Sequence, residues 1–146
     1  MSAVTLERIE GNDAGLKAAL TEAHLPTDDI EDQGRTFFRA QSSDGRAVGY
    51  LGVERCGDDF LLRSVVVLPD HRGQGLGSVL VERAVAGLDR AGDLFLATTS
   101  AAPFFRRIGF SEVRRDSVPA TVLATRQLSS ICPSSATIMK RIKPPT

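Results

Sequence analysis

Tryptophan is absent from the 146-residue chain, tyrosine occurs once, and there are two cysteines, Cys56 and Cys132. Two thiols cannot make a disulfide framework, and their spacing matches no metal-ligand pattern. An excess of charge is missing too: 18 basic and 18 acidic side chains cancel, so no broad field favours nucleic acid or an anionic membrane. No apolar run approaches the roughly 20 residues needed to span a bilayer. The stretch Met1-Ser2-Ala3-Val4-Thr5-Leu6-Glu7-Arg8 lacks the basic-then-apolar order of a signal peptide. These absences lead to the expectation of one soluble, cytoplasmic domain over residues 1–146 with free thiols.

What is present is a run of short periodic segments. Val4, Leu6, Arg8 and Ile9 read as a strand, and Asp13 is placed to cap a helix over residues 14–23. Pro26-Thr27-Asp28-Asp29-Ile30 reads as a second helix start, with aspartates at the positive end of the dipole. Strands are predicted at 36–40, 47–54 and 60–68, the last two joined through a Gly57-Asp58-Asp59 hairpin signal. A helix follows over 75–91, with Leu76, Leu80, Val81, Ala84, Val85 and Leu88 in helical period. Further on come a strand at 93–98, a short helix opened by Pro103 and stopped at Gly109, and a strand from Phe110. A short helix within 119–128 and a strand at 136–142 complete an α+β or mixed α/β domain.

The most informative stretch is Ser64-Val65-Val66-Val67-Leu68-Pro69-Asp70-His71-Arg72-Gly73-Gln74-Gly75-Leu76-Gly77-Ser78. A strand feeds a glycine-rich loop that opens directly into a helix. Successive backbone N–H groups at such a helix start form a concave anion site, and glycine lets a phosphate approach the chain closely. A P-loop would need lysine before the hydroxyl, and Gly77-Ser78 has none. A dinucleotide fingerprint would need the turn immediately after the strand, and residues 68–72 intervene. An ordinary glycine-rich turn is the bland alternative.

Arg72-Gly73-Gln74-Gly75-Leu76-Gly77 resembles the Arg/Gln-x-x-Gly-x-Gly/Ala motif of the GCN5-related N-acetyltransferases. In that family the motif follows a strand ending Val-x-Pro, matched by Val67-Leu68-Pro69. Leu94-Phe95-Leu96-Ala97 and Ala102-Pro103-Phe104-Phe105-Arg106-Arg107-Ile108-Gly109-Phe110 resemble the family's next strand and its Phe-Tyr-x-x-x-Gly-Phe helix. The resemblance runs from 47 to 113. It implies a central twisted mixed sheet of six to seven strands, flanking helices, and a V-shaped splay between the fourth and fifth strands. The segment from Pro119 to Ala136 is similar to the acetyltransferases encoded in bacterial arsenic-resistance operons.

The resemblance implies that Val65, Val66 and Val67 pair with the pantetheine arm of acetyl-CoA. The amides of Arg72, Gly73, Gln74, Gly75, Leu76, Gly77 and Ser78 would take its pyrophosphate, with Phe104 and Phe105 flanking it. Direct attack of a neutral amine on the thioester then needs a proton acceptor and an oxyanion donor. The chain departs from the family here, since Phe105 stands where many members carry an acidic Tyr and Leu61 where some carry a glutamate base. Glu54 is the candidate base, or else a solvated strand-end charge. Thr98, with Thr99 and Ser100, would donate near the thioester, or else cap the following helix. Alternation puts Arg63 on the face of Leu61, where it, and less directly Arg39, would hold an anionic substrate or else form surface ion pairs. Cys132 would line the acceptor pocket, or else be a small buried apolar residue.

The leading expectation is therefore an acetyl-CoA-dependent N-acetyltransferase for a small amine, an amino acid or its toxic arsenic- or phosphorus-containing analogue. Acetylation of a protein N-terminus or lysine, and a non-catalytic acyl-CoA sensor, are the alternatives. A homodimer is an open arrangement, and no metal, nucleic-acid or membrane partner is expected.

Overall fold

The computed structural model of the protein describes residues 4–25, 27–73, 75–86, 92–125, 128 and 136–141. Among the described residues, seven strands form one sheet in the order β1-β2-β3-β4-β5-β7-β6, and the chain divides into two compact units.

The first unit takes Met1–Glu54 and Arg63–Asp89. Strands β1 (Thr5–Ile9) and β2 (Arg35–Gln41) pair antiparallel, as do β2 and β3 (Ala47–Cys56). Between β1 and β2 lies helix α1 (Ala14–Glu22), whose Leu16 N–H donates to the Asp13 carboxylate at 2.9 Å. Such a cap stabilises a helix by about 1 kcal/mol, and it sets the phase that turns Leu16, Ala19 and Leu20 inward. These side chains pack with Ile30, Phe37, Tyr50 and Val66, each fully buried large side chain contributing roughly 1.5–3 kcal/mol. Helix α2 (Leu76–Ala86) buries Leu76, Leu80, Val81, Ala84 and Val85; residues 87–91 of the predicted helix lie outside the described residues.

One expectation fails in this unit. Residues 28–34 run as turns, not as a second helix. Ile30 is drawn into the core and the Asp29 carboxylate into a pair with Arg63, so this aspartate serves no helix dipole.

The second unit takes Arg55–Leu62 and Arg90–Thr146. Strand β4 (Asp59–Val67) starts here after the tight Gly57-Asp58 turn, with Gly57 at φ +65°. Strand β5 (Leu94–Thr98) pairs parallel to it through Phe60↔Leu94 and Leu61↔Phe95. A parallel pair needs a crossover, which α2 supplies. The ladder holds those two pairs, whereas β4 runs on to Val67.

Helix α3 (Ala102–Arg107), strand β6 (Phe110–Glu112), the one-turn helix α4 (Ala120–Leu123) and strand β7 (Thr137–Arg141) follow. β7 pairs antiparallel with both β5 and β6. Cys56, Leu61, Phe95, Val118, Val122, Leu128 and Ile138 form this unit's core. The mixed sheet of the expected α+β fold is thus observed.

Candidate functional site

Strand β4 ends at Val67, and Pro69–His71 form a single 3-10 turn. Gly73 and Gly75 then take φ +81° and +73°, the left-handed region that costs other L-residues roughly 1–2 kcal/mol. A Cβ at either position would meet nothing within 4 Å. Glycine is therefore demanded by the turn's dihedrals, and open space lies over both residues. The eleven-residue helix α2 begins at Leu76, and its first amides have no partner within the helix. Two left-handed glycines leading into free helix amides make an anion cradle.

The Arg72 side chain turns back toward its own strand and α1. Its Nε donates to the Val67 carbonyl at 2.9 Å, and Nη2 lies 3.4 Å from Glu22 of α1. The side chain ties the loop to its strand, and the amides are left to meet the anion. Gln74 lies outside the described residues.

Four charged side chains meet elsewhere in the first unit. Asp29 is 0% exposed, Arg63 3% and Glu54 5%, and the Arg35 side chain is 10% exposed. Arg63 Nη1 and Nη2 donate to the two Asp29 oxygens, each at 2.5 Å. Arg35 Nη2 donates to Asp29 Oδ2 at 3.2 Å and lies 3.5 Å from Glu54 Oε2. Arg63 Nη1 lies 3.6 Å from Glu54 Oε1.

Strand register assembles this cluster. Arg35 stands opposite Glu54, and Phe37 opposite Gly52. A Cβ on Gly52 would come within 2.6 Å of the Phe37 ring and 3.3 Å of Arg63 Cγ. Glycine there makes room for the arginine stem, whose guanidinium lies 5.7 Å from the Phe37 ring centre. Ser64, next along β4, takes φ +58° and accepts from Arg63 Nε at 3.3 Å. A left-handed serine inside a strand is a local strain of the kind found at functional sites.

The two carboxyls of the cluster titrate in opposite directions. Burial disfavours charge on Asp29, but the hydrogen bonds and attraction of Arg63 and Arg35 outweigh it and hold the carboxyl below its usual range. For Glu54 burial dominates, the nearby Asp29 charge adds to it, and Arg35 and Arg63 offset only part, so its pKa is raised. One carboxylate is locked as an ion. The other is suited to exchange a proton.

The remaining named residues fall as follows. Val66 is buried in the first core, with Val65 and Val67 half-buried. Arg39 is partly exposed and pairs with Glu7 of β1. Leu61 is fully buried in the second unit's core. Thr98 Oγ1 accepts from the Ala101 N–H at 3.0 Å, which serves the start of α3. Phe105 is buried, its ring edge-on to Phe104 at 5.1 Å and to Phe110 at 5.7 Å. Cys132 lies outside the described residues, and Cys56 is buried. Among the described residues, no three His, Cys, Asp or Glu side chains gather to hold a metal, and no helix is long and apolar enough to cross a membrane.

Asp29 and Arg35 were not among the site residues that sequence reading named. The available signal was the alternation of Arg35, Phe37 and Arg39 along β2, which puts Arg35 on the face of a core phenylalanine.

A mixed sheet with a parallel β4–β5 pair, and a helix that opens on a left-handed glycine turn, define an α+β class. Residues 33–112, more than half of the chain, match the model of the Acetyltransferase (GNAT) domain, and the chain belongs to that family. It is 35% identical over 63 residues to an uncharacterized N-acetyltransferase of Chlorobaculum tepidum, covering 42% of this chain and 40% of that relative. The crystal structure of Tetrahymena GCN5 has the same fold, with TM-score 0.73 and 15% identity over 97% of this chain and 98% of that one. N-acetylglutamate synthase from Neisseria gonorrhoeae, solved with coenzyme A and L-arginine, gives TM-score 0.70 and 18% identity over 97% of this chain and 33% of that one.

Proposed function

We propose that this protein transfers the acetyl group of acetyl-CoA to the amine of a small molecule. The observation that carries this reading is the run from Val67 to Ser78, where a strand, two left-handed glycines and the start of a helix follow one another, and first-turn amides have no partner within their own helix. The amides of Gly73, Gly75, Leu76, Gly77 and Ser78 hold the pyrophosphate, and the strand edge at Val65 and Val67 receives the pantetheine. Coenzyme A in the N-acetylglutamate synthase structure supports the same ligand class. Acetyl-CoA supplies an activated carbonyl when bound. Glu54, buried and with a raised pKa, takes the ammonium proton so that a neutral amine can attack.

For the acceptor we favour an amino acid or a phosphinate or arsonate analogue, on the likeness of residues 119–136 to the arsenic-operon enzymes. Arg63 is engaged by Asp29 and Ser64 through its three nitrogens. Arg39 is more exposed and is the arginine better suited to meet a carboxylate from solvent. A thiol-release assay with acetyl-CoA and a panel of amino acids, their phosphinate and arsonate analogues and lysine peptides tests the assignment. Small amines are expected to outpace peptides. Activity on peptides alone would overturn the acceptor class, and anionic acceptors no better than neutral amines would remove the role of Arg39.

A further inference from the structure

Glycine at 73 and 75 gives the coenzyme loop its shape, and it also leaves the loop slack. Both residues take left-handed φ angles with nothing within 4 Å of where a Cβ would stand, and glycine loses more backbone freedom on ordering than any other residue. A cradle of backbone amides binds an anion well only if the amides already converge; otherwise binding must supply the ordering.

The main chain is fastened as far as residue 72. The Leu68 N–H donates to the Val48 carbonyl of β3 at 2.9 Å, His71 N–H to the Leu68 carbonyl at 2.9 Å, and Arg72 N–H to the Pro69 carbonyl at 3.4 Å. The last contact is long, and Gly73 follows it directly. Arg72 is extended, at φ −70° and ψ 153°, and its side chain folds back five residues so that Nε donates to the Val67 carbonyl at 2.9 Å. Nη2 meets the Glu22 carboxylate at 3.4 Å, which sets an acidic group against the guanidinium charge. Both side chains of that pair are about half exposed, and such pairs contribute little. The Nε contact is the firmer tie.

We propose that Arg72 is a positioning residue for the coenzyme: its Nε–H group, rather than its charge, holds the glycine loop in the conformation that receives the pyrophosphate. This deepens the reading of the 67–78 run as a coenzyme A site and rests on it. The Val67 carbonyl that accepts the bond belongs to the strand edge assigned to the pantetheine, and a carbonyl oxygen has a second lone pair for another donor. One side chain thus sets the spacing between two parts of the site that must grip one molecule.

Side-chain chemistry separates a donor from a charge. Counting outward from Cα, the glutamine amide nitrogen stands at the same atom as arginine Nε, so Arg72→Gln keeps a neutral N–H donor at that place. Arg72→Lys keeps the positive charge but has a methylene there, and Arg72→Met keeps neither donor nor charge. Each variant is titrated with acetyl-CoA by calorimetry at low and high salt, and the heteronuclear nitrogen-15 NOE of Gly73 and Gly75 is read in the free protein. Arg72→Met is expected to bind about tenfold more weakly than the native protein, the size of one net hydrogen bond, with both glycine NOEs reduced. Arg72→Gln is expected to restore the NOEs, and the affinity to within about threefold, with Arg72→Lys falling below it. The gap between native and Arg72→Met should persist at high salt, since the bond to a neutral carbonyl is little screened. A glutamine variant as weak as the methionine one would overturn the proposal, and so would a methionine variant that binds like the native protein. Affinity kept by lysine and lost by glutamine would overturn it by putting the charge on the phosphates. Native protein that binds no acetyl-CoA would remove the coenzyme site itself, and the role of Arg72 with it.

Discussion

Glu54→Gln is expected to lower kcat/KM for the amine by about 10²-fold while leaving the affinity for acetyl-CoA unchanged, since a positioned general base contributes about 10²- to 10⁴-fold. Glutamine fills the same volume and cannot take a proton. Burial raises the Glu54 pKa against the pull of Arg35 and Arg63, so the native enzyme should show an acidic limb above the ordinary carboxylate range. That limb should vanish in the variant, leaving only the titration of the amine itself. Initial rates across pH decide the matter. A variant as fast as the native enzyme, with the same limb, would mean that water or another group takes the proton.

Arg63→Met is expected to destabilise the fold by about 3 kcal/mol at neutral pH, because removing one partner of a buried pair strands the other charge. Methionine keeps an apolar stem beside Phe37, so the loss falls on Asp29, left with Arg35 alone at 3.2 Å. For a chain of this length the melting temperature should fall by roughly 10 °C.

The loss should also depend on pH. Asp29 has a lowered pKa, so its contribution is present above its ordinary 3.8 and is lost as pH falls through the lower folded value. Glu54 has a raised pKa, so its contribution runs the other way, complete below its ordinary 4.5 and lost as pH rises through the folded value. Without Arg63 both carboxyls bind protons more readily in the folded state. The destabilisation should therefore shrink as pH falls toward 4, and a gap between native and variant melting curves that stays constant with pH would contradict this account.

Much of the fold could be read from local pattern. Asp13 caps α1 as its position predicts, the Gly57-Asp58 turn joins two strands, and Gly109 ends the α3 region at φ +107°. Each depends on residues within a few positions of one another. The glycine loop was legible for the same reason, since its positive φ angles require glycine at 73 and 75.

The charge cluster was not legible. Asp29 and Arg63 are 34 residues apart, and nothing local distinguishes an aspartate that will meet a distant arginine from one that serves a helix start. Dipole and propensity therefore pointed Pro26–Ile30 toward a helix, whereas tertiary pairing sets residues 28–34 in turns. Arg63 read as either a substrate anchor or a surface pair; burial and its bidentate bond to Asp29 make it an internal strut. Serine at 64 gives no hint of a left-handed φ, because the strain is imposed by its surroundings.

The central claim, that the 72–78 loop carries the coenzyme, is tested most directly by titrating nitrogen-15-labelled protein with acetyl-CoA and following the backbone amides. The amides of Gly73, Gly75, Leu76, Gly77 and Ser78 should show the largest saturable shifts, as pyrophosphate oxygens settle on their N–H groups. Saturable binding that leaves these five amides unmoved would contradict the account.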